Sequence, residues 1–344
     1  MNPAGAGGWW SRLYAGFGIS GPVVPLLAAA ALGVPWLPGE FWTVVGTEVL
    51  IFGLFAMSFN LLYGYMGQIS FGHAAFFGVG AYATAMLFAA LKGADGQIGV
   101  ADFLLSLLIG PPVAALAALV VGFFCVRLTG IYFAILTLAF GELLFYIVFS
   151  WYSFTKGDDG IQGLLPPPFF QDATNYYFFT LAIVAAAGAL MWRITESPFG
   201  YAMRTLRDNQ RRAAFLGISV RTHMLANFVI AGAFAGLAGA LWGPFSRSVN
   251  PSLLGWGESG IAVFMTLIGG AGSFIGPMLG SLIYTLLQAV VKMYTVYWPL
   301  TIGTIILLIV LFAPGGILGM IDKRIQAVRA RRLAARAPAE APPP

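Results

Sequence analysis

Long apolar stretches dominate the chain and leave it few ways to fold. A helix that crosses a bilayer needs about 20 mostly apolar residues. Hydrophobic residues make up 59% of the 344 residues and charged residues only 9%, against about 25% charged in an average soluble domain. This composition excludes a water-soluble enzyme or a nucleic-acid binder and predicts an all-α integral membrane protein of about ten transmembrane helices. The ten predicted spans are 21–38, 42–63, 74–91, 103–126, 131–150, 176–194, 223–245, 257–270, 275–292 and 296–313.

The positive charges predict how these spans are oriented. Two segments, 193–222 and 322–340, each carry six basic residues against two acidic ones. Segments of this kind stay on the cytoplasmic side of a membrane. Four predicted spans lie between the two segments, an even number, so both segments can lie on that side. We therefore expect a multi-pass protein of a bacterial or archaeal-type plasma (inner) membrane, with both termini cytoplasmic.

No composition shift divides the chain, so residues 1–320 are interpreted as one transmembrane domain that includes the cytoplasmic segment 193–222. Residues 321–344 read as a basic, largely disordered tail. The chain has one cysteine, Cys125, and two histidines, a poor supply of metal ligands. No spacing typical of a nucleophile, a phosphate loop or a zinc site is present. We therefore predict no catalytic site, no metal and no cofactor.

Two glycine-rich segments interrupt the apolar pattern. The first break reads GYMGQISFGH over residues 64–73, and the second reads GGAGSFIGP over residues 269–277. Non-helical backbone at membrane depth is tolerated only where protein buries it or a watery cavity reaches it, and paired breaks point to a transport pathway. Ordinary tight turns are the alternative. The candidate pathway residues are Gly64, Gly67, Gln68, Ser70, His73, Gly269, Gly272 and Ser273.

The two breaks share a spacing, because Gly64 and Gly67 match Gly269 and Gly272. This spacing suggests an internal repeat. The span count puts both breaks on the cytoplasmic side, whereas an inverted repeat would put them on opposite sides. One of the breaks is then re-entrant, or the number of spans differs from ten.

Glu142 is a further candidate for the pathway, because it lies in the middle of the predicted span 131–150. A carboxylate inside a membrane span is costly and is by default a functional hypothesis. The alternatives are a side chain that faces a polar crevice or a neighbouring subunit. His73 has a similar alternative, a purely structural histidine.

The segment 197–217 is predicted to be a short amphipathic helix. Ser197 and Pro198 form a typical helix start, and Phe199, Met203 and Leu206 share one face. Arg204, Arg207 and Arg211 lie on another face. Such a helix lies on anionic lipid, serves only as a topology signal, or docks onto a partner protein. A separate run of small residues over 231–240 predicts close helix packing.

Several of these segments together resemble a known family. The run 60–82 looks like the signature of LivM-type permease subunits of branched-chain amino-acid ABC importers. The resemblance is collinear over about residues 42–320. Further matching segments are 137–142, 155–161, 197–200, 235–240, 269–273 and 313–317.

The resemblance implies a pore-forming subunit with several partners. These would be a homologous second permease subunit, two cytosolic ATPase subunits that hydrolyse the ATP, an extracytoplasmic solute-binding protein and membrane lipid. The resemblance also implies that the segment 197–217 contacts the ATPases, with Ala213, Ala214 and Gly217 in the loop where ABC permeases carry a Glu-Ala-Ala…Gly pattern. Here Arg212 stands in place of the glutamate and Gly217 follows sooner.

Other function classes remain as alternatives. A secondary transporter or channel for a small solute needs no ATP, but a coupled transporter would need paired intramembrane acids, and Glu142 stands alone in its span. The third alternative is a non-transporting membrane scaffold or an intramembrane enzyme, and the enzyme would need a nucleophile or a metal set. The substrate also stays open between leucine, isoleucine and valine on one side and other amino acids, urea, amides or aromatic acids on the other.

Overall fold

A computed structural model describes residues 30–93, 97–312 and 315–320. These residues fold mainly into helices. The predicted tail 321–344 and residues 21–29 of the first predicted span lie outside the described residues. The longer helices are α1 (Glu40–Met66), α2 (Ala74–Leu91), α3 (Val100–Cys125), α4 (Ile131–Ser150), α5 (Ala173–Thr195), α6 (Pro198–Asp208), α7 (Gln210–Phe215), α8 (Val220–Ser246), α9 (Trp256–Gly269), α10 (Gly276–Tyr294) and α11 (Trp298–Phe312).

Six of these helices are long and apolar enough to cross a membrane: α1, α2, α3, α4, α5 and α8. They correspond to six of the ten predicted spans. The predicted span 257–270 forms α9, whose 14 residues extend about 21 Å. That length is short of the roughly 30 Å of hydrocarbon that a span must cross. The described residues therefore support an all-α membrane protein and do not confirm ten spans or an internal repeat.

Helix α1 is the centre of the fold. It packs against α5, α8, α9 and α10, and most of its side chains are buried, including Phe55 and Phe59. A helix that is apolar all round is one that other helices surround. The helices at the periphery differ, because α4 leaves large apolar side chains such as Ile131, Tyr132 and Tyr146 exposed.

Small residues bring α2, α3 and α8 together. A side chain at Gly236 of α8 would overlap Ala114 of α3, and one at Gly239 would overlap the backbone of Phe77 in α2. Gly80 of α2 packs equally closely on the backbone of Gly236. The packing role predicted for the small residues of 231–240 is confirmed, and close helix contact of this kind is typical of membrane bundles.

The loops that follow α4 and α8 meet at one end of the bundle. Strand β1 (Ile161–Gln162) pairs in antiparallel fashion with β2 (Ser248–Val249), and Ile161 lies opposite Val249. Beyond β2 the chain turns back through Pro251–Leu254 to start α9. The side chain of Leu254 there lies directly against Gly78 of α2.

The segment 197–217 is two helices, so the prediction of one continuous helix is wrong. Helix α6 begins as predicted, with the Ser197 side chain accepting the N–H of Gly200 at 3.4 Å. It ends at Asp208 because Asn209 adopts an extended backbone (φ −163°) and caps α7 by accepting the N–H of Arg212 at 3.0 Å. Asparagine at a helix N-cap favours such a break over continuation.

Candidate functional site

The first break begins where α1 ends. Gly67 adopts a left-handed conformation (φ 72°), its N–H reaches Tyr63 O at 3.1 Å, and the N–H of Gln68 reaches Leu62 O at 3.0 Å. The bond from Gly67 to Tyr63 is the 5→1 bond of the αL C-cap motif, which favours glycine because an added Cβ is strained in that conformation. The sequence Gly-Gln therefore stops the helix and turns the chain back.

The chain then runs back alongside α1. The hydroxyl of Ser58 and Nε2 of His73 are 2.9 Å apart, and the His73 ring stacks on Phe55 with centroids 5.6 Å apart. Ser58 precedes Met66 by eight residues, which is about 12 Å of helix. Residues 67–73 are non-helical over this distance, and α2 starts beside the body of α1 rather than at its end.

The second break joins α9 to α10 by a tight backbone contact. A Cβ at Gly269 would overlap the backbone of Gly276, and Gly270 has a φ of 108°. Ser273 accepts the N–H of Gly276 at 2.9 Å and so caps the start of α10. Gly272 differs from these glycines, because no atom lies within 4 Å of its Cβ position and its φ is not positive. The matched spacing of Gly67 and Gly272 therefore does not correspond to a matched conformation.

The two breaks meet through Asn60. Its Nδ2 donates to Ser273 O at 3.0 Å, and Gly64 lies so close to the Ala271 carbonyl that any side chain at 64 would overlap it. Asn60 is buried in α1. Two segments more than 200 residues apart are thus held in direct contact by one amide and one glycine.

Two other predicted pathway residues, Gln68 and Ser70, lie within the first break, and Gln68 anchors it to the start of α4. Gln68 Oε1 accepts the N–H of Gly130 at 3.0 Å. Ser70 is fully buried, and its hydroxyl has no hydrogen-bond partner among the described residues.

Glu142 lies away from the second break but next to α9. Its Oε1 accepts the N–H of Trp256 at 3.2 Å, a carboxylate at a helix N-terminus. One turn further, the Ser259 hydroxyl accepts the N–H of Ala74 at 2.9 Å. Helix α9 is therefore fixed at its start to both α4 and α2.

The predicted coupling residue Arg207 turns inward and connects α6 to the first break. It donates to Gly64 O, and its side chain lies 3.1 Å from the Cβ position of Gly67. An arginine at the last carbonyls of a helix satisfies groups that have no partner within the helix and interacts favourably with its dipole. Arg207 thus caps α1 from the neighbouring helix α6.

Arg204 makes a second connection between α6 and α1. It pairs with Glu196 at 2.6 Å and stacks 5.3 Å from the ring centre of Tyr65. Partial burial lowers the pKa of Arg204, whereas the hydrogen bond and charge of Glu196 raise it, and the net direction is upward. The guanidinium therefore stays protonated.

The apolar face predicted for docking is divided between the interior and the surface. Met203 and Leu206 are buried against the chain's own helices. Phe199 is half-buried and stacks on His223 with centroids 5.7 Å apart. The exposed apolar residues lie instead at the end of α7, where Phe215 is 91% exposed and Leu216 is 74% exposed. Of the other predicted residues, Ala213 is buried, Arg211 and Ala214 are exposed, and Gly217 ends α7 with a φ of 83°.

Sequence reasoning missed three polar residues that hold this site together. Asn60 and Asn227 are buried within apolar runs, and Asn227 Nδ2 donates to Leu61 O at 2.7 Å. Ser58 binds His73. An amide inside a span is a recognisable signal, because such groups hydrogen-bond across helices in membranes.

Comparison with known proteins gives a coherent set of relatives. A family model described as "Branched-chain amino acid transport system / permease component" matches residues 44–313. The chain is 26% identical over 324 residues to the high-affinity branched-chain amino acid transport system permease protein LivM of Escherichia coli (strain K12), covering 86% of this chain and 74% of LivM. It is 28% identical over 286 residues to LivH of the same organism, covering 78% of this chain and 91% of LivH.

A shorter match is to a permease named for a different substrate. The chain is 38% identical over 112 residues to the guanosine ABC transporter permease protein NupP of Bacillus subtilis (strain 168), covering 31% of this chain and 32% of NupP. No solved structure matches the chain at a significant level.

Proposed function

Because the chain belongs to the family of permease components of branched-chain amino acid transport systems, we propose that it is the pore-forming subunit of an ATP-driven importer. The match over residues 44–313 is the observation that carries this proposal, since it includes both breaks and the segment 193–222. Members of the family are permease components and not enzymes, and ATP hydrolysis is assigned to separate subunits.

The proposed assembly contains a second, homologous permease subunit, two cytosolic ATPase subunits and an extracytoplasmic solute-binding protein. The similarity to both LivM and LivH supports a pair of related permeases. The basic segment 193–222 supports an orientation with α6 and α7 in the cytoplasm, where they can meet the ATPases.

Branched-chain amino acids are the proposed substrates. The relatives whose names specify branched-chain amino acids align over 78–86% of this chain, whereas the guanosine permease aligns over 31%. A nucleoside is therefore the less supported substrate class.

The proposed contact with the ATPases uses the end of α7. Phe215 and Leu216 are exposed, and an exposed apolar pair gains free energy when a partner removes it from water. Helix α6 connects this surface to the interior, because Arg207 and Arg204 bind it to the end of α1. Gly64 at that end of α1 contacts the second break. Movement of an ATPase would in this way reach both breaks.

Co-purification and ATP hydrolysis test the assembly. We expect the chain, expressed with its cognate ATPases and second permease, to purify as one complex whose hydrolysis rises several-fold with leucine-loaded binding protein. The same preparation without this chain should show no stimulation. Purification of the chain free of the ATPases, or hydrolysis by the chain alone, contradicts the proposal.

A further inference from the structure

An open cavity of about 660 Å³ lies between α4, α9, α10 and α11. We call it the acidic groove, and its size is within the range of small-ligand sites. Ser259, the residue after the lining residue Glu258 in α9, accepts the N–H of Ala74 directly after the first break. The lining of the groove includes Glu142, Trp256, Glu258, Tyr284 and Trp298.

Glu258 places a carboxylate oxygen without a hydrogen-bond donor at the acidic groove. Its Oε2 atom is buried and has no hydrogen-bond partner among the described residues. No basic side chain in the described part of the chain lies within 4 Å of this carboxylate. A buried carboxylate without a hydrogen-bond donor or a cation is costly. A ligand that supplies a donor or a positive charge would therefore be stabilised beside Glu258.

The helix start of α9 explains the positions of Glu142 and Glu258, but not the missing hydrogen-bond donor of Glu258 Oε2. Glu142 Oε1 already accepts the N–H of Trp256 at 3.2 Å. The dipole of α9 favours an acidic residue in its first turn, which accounts for the presence of Glu258 there. It does not account for a buried oxygen without a donor. Glu48 brings a second negative charge close to Glu258.

The rest of the lining suits a cation with an apolar body. Aromatic faces attract cations, and Trp298 already holds the ammonium of Lys292 at 4.7 Å from its ring centre. Trp256 is 68% exposed. Isoleucine and phenylalanine side chains form much of the remaining lining. Lys292 also interacts electrostatically with Glu258, and it places a positive charge beside the groove.

Resting on the proposed function, we propose that the acidic groove binds the transported solute, and that Glu258 accepts a hydrogen bond from its protonated amine. The aromatic and aliphatic lining holds an apolar side chain, and Lys292 lies where a carboxylate would be attracted. The substrate class is then a zwitterion with an apolar side chain. Solutes that carry only a negative charge are disfavoured by Glu142, Glu48 and Glu258.

Protection of an introduced cysteine tests this assignment. Gly257 lies in the lining, and no atom lies within 4 Å of its Cβ position, so Gly257→Cys fits without displacing a neighbour. The native Cys125 is buried. In the purified complex, we expect millimolar leucine to slow alkylation of this cysteine by N-ethylmaleimide at least threefold. 4-Methylpentanoate, which has the leucine side chain and carboxylate without the amine, should protect less than leucine.

A glutamine at position 258 tests the role of the carboxylate. Glu258→Gln should abolish the protection by leucine while the alkylation rate without ligand stays the same. Glu40→Gln, at the start of α1 and outside the lining of the groove, is the matched control and should keep the protection. Equal protection by both compounds, no protection by leucine, or full protection in Glu258→Gln overturns the proposal.

ATP-dependent leucine uptake by the unmodified complex, measured in parallel, separates this proposal from the proposed function. Uptake without protection overturns only the acidic groove. If the unmodified complex shows no ATP-dependent leucine uptake, the proposed function is overturned as well.

Discussion

At the scale of single residues, Gly64 of α1 contacts both α6 and the second break. Arg207 of α6 donates to the carbonyl oxygen of Gly64, and the α-carbon beside it lies against the second break. The last carbonyls of a helix have no partner within the helix, so an arginine from a neighbouring element both satisfies the oxygen and fixes the position of α6. A residue that looked like a surface charge in the sequence is thus part of the fold.

Replacement of Arg207 should therefore cost stability that replacement of Arg211 does not. Arg207→Leu leaves the Gly64 oxygen without its charged donor, for an expected loss of about 1–3 kcal/mol. Arg211 is exposed, and Arg211→Leu should change stability by less than about 0.5 kcal/mol. Thermal melting of the purified variants in one detergent compares the two. Equal melting temperatures would mean that the Arg207 contact contributes nothing.

The glycines of the second break should likewise differ from one another. Gly269→Ala forces a Cβ into the backbone of Gly276, and overpacking of this kind costs about 1–3 kcal/mol or more. Gly272→Ala meets no atom within 4 Å and should be neutral in both melting temperature and uptake. A Gly272→Ala variant as impaired as Gly269→Ala would be inconsistent with this packing.

At the scale of elements, the sequence predicts that a helix is present better than it predicts where the helix ends. Six predicted spans appear as long apolar helices. Their apolar runs are long enough to be recognised as membrane-spanning helices from the sequence. The start of α6 at Ser197-Pro198 was also readable from capping chemistry. The division at Asn209 was not anticipated, since it depends on one side chain accepting the N–H of Arg212 within a run that otherwise looks helical.

The meeting of the two breaks could not be derived from the sequence. It depends on Asn60 reaching Ser273, a contact across 213 positions that no local pattern encodes. The burial of Met203 and Leu206 in the chain's own core is a similar case. An amphipathic face indicates that a helix packs on something and leaves open whether that is lipid, a partner or the same chain.

Helix α7 should carry the contact with the ATPases. Phe215→Ser combined with Leu216→Ser removes exposed apolar surface only, so the variant should insert and melt like the unmodified chain. It should lose most of the stimulated ATP hydrolysis of the complex, because buried apolar anchors supply much of an interface's energy. Cysteine cross-linking from position 215 to an ATPase gives an independent readout.

Met203→Ser is the matched control for this prediction. Met203 is fully buried, so its truncation should cost about 2–5 kcal/mol and lower the yield of folded protein. The double variant of α7 should not show that loss. Normal stimulation of ATP hydrolysis in the double variant would contradict the contact with the ATPases and indicate that α7 lies on the lipid surface.

At the scale of the whole molecule, the contacts form a continuous path from one surface to the interior. The exposed end of α7 continues into α6, α6 is tied to α1 through Arg207 and Arg204, and α1 touches the second break through Gly64 and Asn60. Ser259, which follows Glu258 of the acidic groove in α9, accepts the N–H of Ala74 directly after the first break. An ATP-driven permease requires a connection of this kind between its cytoplasmic surface and its pathway, and a passive channel does not.

Uptake by proteoliposomes tests most directly whether the chain works in an ATP-driven importer. The complex of this chain, its homologous permease and two ATPases is reconstituted with no ion gradient, with ATP on the ATPase side and leucine-loaded binding protein on the other. We predict accumulation of leucine that requires ATP, the binding protein and this chain. Accumulation that follows an imposed ion gradient and is unchanged without ATP would contradict the account and identify a secondary transporter.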